Sequence, residues 1–430
     1  MPHQRGKIGF WEVVAIGVGG MVGGGIFAVL GLAVQLAHGG TPVAFALAGI
    51  VALITTYSYA KLSVACPSQG GTVAFLDRAF GPGLITGGLN VLLWISYVVM
   101  LSLYSYAFGS YGATFFPADW QVLAKHLLIS LAVAGITGLN LLSAKAIGRA
   151  EDYIVALKMV ILAIFAGFGI WGVQGGRLAM ETWTPPLNLI AGGMIIFVAY
   201  EGFELIANTA QDVRNPARTL PRAYYTAVGF VVFLYILIAI VTVGNLPVAK
   251  IVAAQDYALA EAAKPFMGHA GFILIVIAAL LSTASAINAT LYGTARLSYI
   301  IAKDGELPAQ LEKKIWNEPV EGLLITAGAT LLVANLFDLS SISTMGSAGF
   351  LLIFAAVNAA NIRLAKQTNS RRAISVAGLL ACLAALGALL WQTAIIAPAK
   401  LCVLAVMLGL AFGIEATFQW GKKRKIRMRS

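Results

Sequence analysis

Apolar runs long enough to cross a bilayer, for which about 20 residues suffice, recur from one end of this 430-residue chain to the other. Lipid offers no hydrogen bonds, so a spanning segment must satisfy its own backbone, as a helix or within a closed barrel. Runs of this length are too long for barrel strands. The chain is therefore expected to be an all-α polytopic membrane protein. Its 59% hydrophobic and 11% charged content excludes an ordinary soluble domain. We expect 12 spans, near 11–37, 42–66, 83–113, 122–143, 150–173, 186–209, 220–246, 266–302, 321–337, 341–362, 373–396 and 398–421. No small-residue cleavage site follows the first run, which reads as a retained helix.

The net charge of +11 is sorted by side. Of the 29 Lys and Arg, Lys125, Arg177, Lys250, Lys264 and Lys400 fall at outer ends, Lys158 falls within a span, and the other 23 fall on the N-terminal side, Arg5 and Lys7 included. This asymmetry places both termini in the cytoplasm, in a protein of the cytoplasmic membrane. The basic tail, residues 422–430, reads as a topology anchor on anionic lipid and not as a nucleic-acid arm. Three cysteines without C-x-x-C spacing suggest neither a disulfide framework nor a metal site, and no cofactor is expected. Four histidines near ends or loops form no catalytic constellation, so no enzyme is expected.

The first run holds Gly23-Gly24-Gly25 at mid-depth. Consecutive glycines weaken a helix and strip the side chains from one stretch of backbone. A break there would turn amides of Gly24, Gly25 and Ile26 and carbonyls near Gly19 to Val22 toward a gap, a cradle for both ends of a zwitterion. The pairs Gly19/Gly23 and Gly20/Gly24 also fit G-x-x-x-G, the pattern of close helix packing. The sixth run repeats the interruption with Tyr200-Glu201-Gly202-Phe203-Glu204. Unwinding near Tyr200–Gly202 is expected to send the Glu201 and Glu204 side chains apart. Glu204 is open to a role as a proton carrier or as a structural partner of a neighbouring helix. Interruptions five helices apart mark a 5+5 inverted repeat, with residues 11–173 as the first five-helix unit, 186–362 as the second, and 373–421 as two additional helices.

Lys158 follows Arg149 by nine residues, which at about 1.5 Å per residue puts it roughly 14 Å deep. A stem cannot snorkel that far, so Lys158 is expected to face the protein interior. Trp94, Tyr97, Tyr104 and Tyr106 of the third span read as packing or interface belt before a substrate cage. The stretch 248–264 reads equally as an external lid or a surface helix, and the last four spans, with few polar groups, as scaffold or an oligomer contact.

Gly23-Gly24-Gly25-Ile26-Phe27, Tyr200-x-Gly202-Phe203-Glu204, Asn215-Pro216 with Pro221-Arg222, and Lys303-Asp304-Gly305-Glu306-Leu307-Pro308 stand in this order along the chain. Together they resemble the amino acid–polyamine–organocation transporter superfamily, and Arg149-Ala150-Glu151 with Lys158 is similar to its proton-coupled, broad-specificity members. The resemblance covers nearly the whole chain. It implies the LeuT-type fold and a substrate carboxylate on amides of Gly24 and Gly25, with Gly23 beside them. The amino group would sit on carbonyls of Met21, Val198 and Glu201. It further implies that Lys158 occupies the place of a sodium ion, near Gly19 and Ser282, with protons as the coupling ion. Val198 stands where the superfamily often has an aromatic gate, leaving Phe197 or Tyr200 to close the site. Glu201 stands where an apolar residue is common, which either favours cationic substrates or leaves a protonated, silent carboxyl. The expected function is proton-coupled uptake of amino acids. Obligate exchange of one amino acid or amine for another, or sensing without transport, is the alternative, and monomer and homodimer are both left open.

Overall fold

Two spans are bent where the sequence interrupts them. The computed structural model describes residues 8–142, 144–304 and 320–421. Arg5, Lys7, Gly305 to Pro308 of the fourth motif and the basic tail lie outside the described residues. The first span is α1 (Phe10–Met21) and α2 (Gly25–Ala37), inclined at 47° across the break. Two single spans follow, α3 (Thr41–Ala65) and α5 (Leu84–Ala113), separated by the short amphipathic α4 (Thr72–Phe80). Then come α6 (Gln121–Leu142) and α7 (Ala144–Gly169). The sixth span is α8 (Pro186–Ile195) followed by 3₁₀ turns at Phe197–Tyr200 and Phe203–Thr209, bent by 48°. The rest of the chain forms α9 (Pro216–Asn245), the short α10 (Val248–Ala253), α11 (Ala258–Asp304), α12 (Val320–Leu336), α13 (Leu339–Arg363), α14 (Arg372–Ile396) and α15 (Ala399–Gly421).

Among the described residues, nine helices are long and apolar enough to cross a membrane, two bent pairs each make one more span, and the 17-residue α12 is apolar but shorter. These match the 12 expected runs. α5 and α13 are the core, with 78% of their most apolar windows buried, whereas α14 and α15 bury 28% and 22% and form the periphery. α5 packs against α6, α11, α12, α13 and α15, and α3 lies along α9.

The last four spans are not poor in polar contacts, contrary to expectation. Asn358 of α13 accepts from Ser58 of α3 at 2.7 Å and donates to Thr55 at 3.2 Å, while Asn361 donates to Ser375 of α14 at 2.8 Å. Without water or lipid donors to compete, this network ties the additional helix α14 to α3.

The stretch 248–264 divides into α10, a 3₁₀ turn at Gln255–Tyr257 and the start of α11. Its turn lies across α2, close enough that a Cβ on Gly31 would collide with the Gln255 backbone. Asp256 there receives Lys125 of α6 at 3.4 Å and Ser110 of α5 at 3.2 Å. Lys125 also donates to the Tyr106 hydroxyl at 2.9 Å. The segment is thus fastened to three helices at one end of the bundle.

Candidate functional site

The glycines of the first break are required for space and not for unusual dihedrals. None of Gly23, Gly24 and Gly25 has a positive φ. A Cβ on Gly25 would stand 2.9 Å from the Ala199 Cα, in the backbone of the second break. One on Gly24 would strike the ring of Tyr104, and one on Gly23 would lie 2.9 Å from the Ala286 methyl. Gly17 and Gly20 do the close packing, against Ile206 and against the backbone of Gly202. Of the G-x-x-x-G pairs, Gly20, Gly23 and Gly24 are closely packed and Gly19 has ordinary contact with Val155.

α1 ends at Met21 and α2 begins at Gly25, capped by Gly24 without any side-chain hydrogen bond. Ala28 is the first residue of α2 whose amide donates back along the chain, to the Gly24 carbonyl at 2.9 Å. The amides of Gly25, Ile26 and Phe27 find no acceptor among the described residues, although all three residues are buried. Each unpaired buried N–H costs on the order of 1–3 kcal/mol, and together they form the positive end of a helix dipole. An anion is the natural complement of such an end.

The carbonyls across the break are largely engaged by the protein. Lys158, 1% exposed, donates from Nζ to the Gly19 carbonyl at 3.3 Å, so it faces the interior as expected. Tyr235 of α9 donates to the Met21 carbonyl at 2.7 Å. Ser282 of α11 donates to the carbonyls of Val22, at 3.1 Å, and Gly23. Lys158 and Ser282 thus brace the same broken helix from α7 and α11.

In the second break Gly202 adopts φ 115°, a left-handed geometry that favours glycine. Its amide donates to Glu204 Oε2 at 2.8 Å, and Tyr97 donates to Glu204 Oε1 at 2.9 Å. Tyr104 donates to Glu201 Oε2 at 3.3 Å. The two carboxyl groups do not diverge as expected. They lie within hydrogen-bonding reach of each other, because the turn at Gly202 folds Glu201 back over the following 3₁₀ segment. Val198 offers its amide to Ser347 of α13 at 2.9 Å, its carbonyl accepts from the Glu201 amide at 3.2 Å, and Ser343 and Ser347 both donate to the Ile195 carbonyl at 2.7 Å.

The two candidate gates are held by different helices. Phe197 stacks edge-on against Phe354 of α13, while Tyr200 donates to the Phe45 carbonyl at 2.8 Å and packs on Tyr235. The ring nearest the glycine break belongs to Tyr104 instead. Tyr104, Tyr97, Tyr235, Ser343 and Ser347 were missed or read as packing from the sequence. The i, i+4 spacing of Ser343 and Ser347 and the i, i+7 spacing of Tyr97 and Tyr104 were usable signals, each for one helix face.

Two interrupted helices thus meet inside a many-spanned helical bundle. Residues 8–417 match the model of a family described as amino acid permease. The chain is 37% identical over 377 residues to an uncharacterised protein of Methanocaldococcus jannaschii, covering 87% of each chain. It is 36% identical over 378 residues to the inner membrane transport protein YbaT of Escherichia coli, again covering 87% of each. With the branched-chain amino acid permease BcaP of Bacillus subtilis it shares 23% identity over 388 residues, covering 84% of this chain and 81% of that protein. The chain belongs to the amino acid permease family, within the amino acid–polyamine–organocation superfamily, and is a multi-pass membrane protein.

Proposed function

We propose that this permease is a proton-coupled amino-acid symporter of the cytoplasmic membrane, working by alternating access with both termini cytoplasmic. The observation that carries the reading is the row of unpaired amides at Gly25, Ile26 and Phe27, on a broken helix whose other half is held by Lys158. The amides take the substrate carboxylate. The protonated Lys158 braces α1 against α7 through Gly19, while Ser282 braces it against α11, and losing the proton releases α1 from α7. A buried lysine is poised for such a cycle, because burial opposes its charge while a carbonyl favours it. The branched-chain permease among the relatives supports zwitterionic amino acids as the substrate class. The two interruptions, one before and one after the four continuous spans α3, α5, α6 and α7, support the 5+5 repeat.

Purified protein in liposomes, given a panel of labelled amino acids with and without an inward proton gradient, tests the proposal. Gradient-driven accumulation without internal amino acid is expected. Uptake only when amino acid is preloaded inside would overturn it in favour of exchange.

A further inference from the structure

Basic side chains gather around the turn from α13 to α14, far along the chain from either break. The turn contributes Arg363, Lys366, Arg371 and Arg372, all exposed, and the chain carries no Asp or Glu from Leu339 to Ile414. Neighbouring elements add two more cations. Lys61 of α3 donates from Nζ to the Asn369 carbonyl at 3.0 Å, and Arg78 of α4 donates to Gln367 Oε1 at 3.3 Å. The ion pairs among the described residues join other groups, Lys125 with Asp256, Lys264 with Glu261 and Lys400 with Asp338. The acidic residue of α4, Asp77, accepts instead from Asn90 of α5 at 3.1 Å.

The turn is a fixed surface and not a slack loop. The Thr368 and Ser370 amides donate to the Leu364 and Ala365 carbonyls at 3.0 and 3.1 Å, and the buried Thr368 hydroxyl donates to Asn361 Oδ1 at 2.9 Å. The Arg371 amide donates to the Tyr57 hydroxyl at 2.7 Å, and Lys61 Nζ stands 5.9 Å from the centroid of that tyrosine ring. Lys61, Arg371 and Arg372 are thereby collected at the start of α14, whose first turn holds no acidic residue. Arg372 also opens an apolar stripe. Val376, Leu380 and Leu383 follow it at i+4, i+8 and i+11 on one helix face, and are 39%, 60% and 46% exposed. Cations above an outward apolar stripe, on a helix at the periphery of the bundle, match the two parts of a phospholipid. A soluble anion would make no use of the stripe.

We propose that the α13–α14 turn is a binding site for an anionic phospholipid, with its phosphate received by Arg371, Arg372 and Lys61 and an acyl chain along Val376, Leu380 and Leu383. Guanidinium groups take phosphate oxygens two at a time. Each basic residue beside an anionic headgroup gives about a five-fold preference for it. A zwitterionic headgroup brings its own cation into a cluster of like charge and is disfavoured. The bound headgroup joins α3 to α14, beside the Asn361–Ser375 bond that ties α13 to α14.

Native mass spectrometry of the full-length protein tests the site, with phosphatidylglycerol and phosphatidylcholine of matched acyl chains added in equal amounts. The wild type is expected to prefer phosphatidylglycerol roughly thirty-fold, and Arg371→Gln combined with Arg372→Gln should bring the two lipids to near parity. Arg218→Gln combined with Arg222→Gln removes the same charge from the exposed start of α9 and should leave the preference within about two-fold of wild type. A wild type without preference overturns the proposal, as does a preference unchanged in the Arg371 and Arg372 variant. An equal loss in both double variants overturns it in favour of diffuse surface charge. Glycerol 3-phosphate, the soluble counterpart of the headgroup, should not displace phosphatidylglycerol, and displacement would make the turn a site for free phosphate esters instead. If the Arg371 and Arg372 variant does not fold, Arg372→Gln alone is read in its place. A loss of preference of about five-fold is then expected, and an unchanged preference is decisive against.

Discussion

Gly20 and Gly202 meet backbone to backbone: a Cβ on Gly20 would stand 2.8 Å from the Gly202 oxygen, and one on Gly202 would stand 2.6 Å from the Met21 nitrogen. The two interrupted helices therefore touch at a point where neither chain has a side chain. One residue before Gly20 lies the carbonyl that holds Lys158, and two residues after Gly202 lies Glu204. At this point the contact between the two breaks is backbone against backbone.

Substituting alanine at Gly202 tests that contact. The residue has φ 115°, and the added methyl meets the Met21 amide, which cannot rotate away. Strain and overpacking each cost about 1–3 kcal/mol, so Gly202→Ala should lower the thermal unfolding midpoint in detergent and abolish uptake. A variant with wild-type midpoint and uptake would show that the breaks do not dock through this glycine.

At Gly24 the added side chain meets Tyr104, a side chain and not backbone. Gly24→Leu should eliminate amino-acid binding by crowding the space before the α2 amides, and, since it must also displace the buried Tyr104 ring, should lower the thermal unfolding midpoint. Amino-acid methyl esters, lacking the carboxylate, should compete poorly with the wild-type substrate. Competition by esters equal to that of the free acids would remove the amides as the carboxylate site.

Lys158→Ala separates binding from coupling. The substitution removes the donor to Gly19, and we expect it to abolish accumulation driven by an imposed inward proton gradient while binding and counterflow persist. Proton-driven accumulation at the wild-type level in this variant would move the proton to another group, with Glu204 next to be examined.

The segment Val248–Tyr257 is held over α2 by the contact of Lys125 with Asp256, both about a quarter exposed. Partly exposed ion pairs contribute roughly 0.2–1 kcal/mol. Asp256→Ala should speed amide hydrogen exchange across this segment a few-fold, and the double exchange Lys125→Asp with Asp256→Lys should restore part of the protection. Unchanged exchange rates would mean that the Gly31–Gln255 contact alone holds the segment.

Asn358→Ala removes the hub linking α3, α13 and α14. Interhelical hydrogen bonds in membranes contribute about 0.6 kcal/mol each and at most about 1.7. Losing those to Ser58 and Thr55 should destabilise the protein by roughly 1–3 kcal/mol, read as an earlier thermal transition. Transport by the surviving folded fraction should be unaltered, since the network does not touch either break.

The amino-acid sequence by itself determined where the chain crosses the membrane, where two crossings are interrupted, and that Lys158 points inward. Those outcomes depend on local quantities: the length of an apolar run, the steric permissiveness of glycine, and the expense of an ammonium in lipid. Tertiary structure alone decided which neighbours meet at the breaks. Lipid is as apolar as the protein core, so a membrane helix shows little contrast between its inward and outward faces. In α5 the i, i+7 spacing of Tyr97 and Tyr104 puts the two on one face and Tyr106 nearly opposite, but nothing in the pattern says that the first face meets Glu204 and Glu201 while Tyr106 reaches Lys125 at the bundle end. The same holds for Tyr235 on Met21 and for the approach of Glu201 to Glu204, since each depends on the rotation of one helix against another and on a single left-handed turn at Gly202.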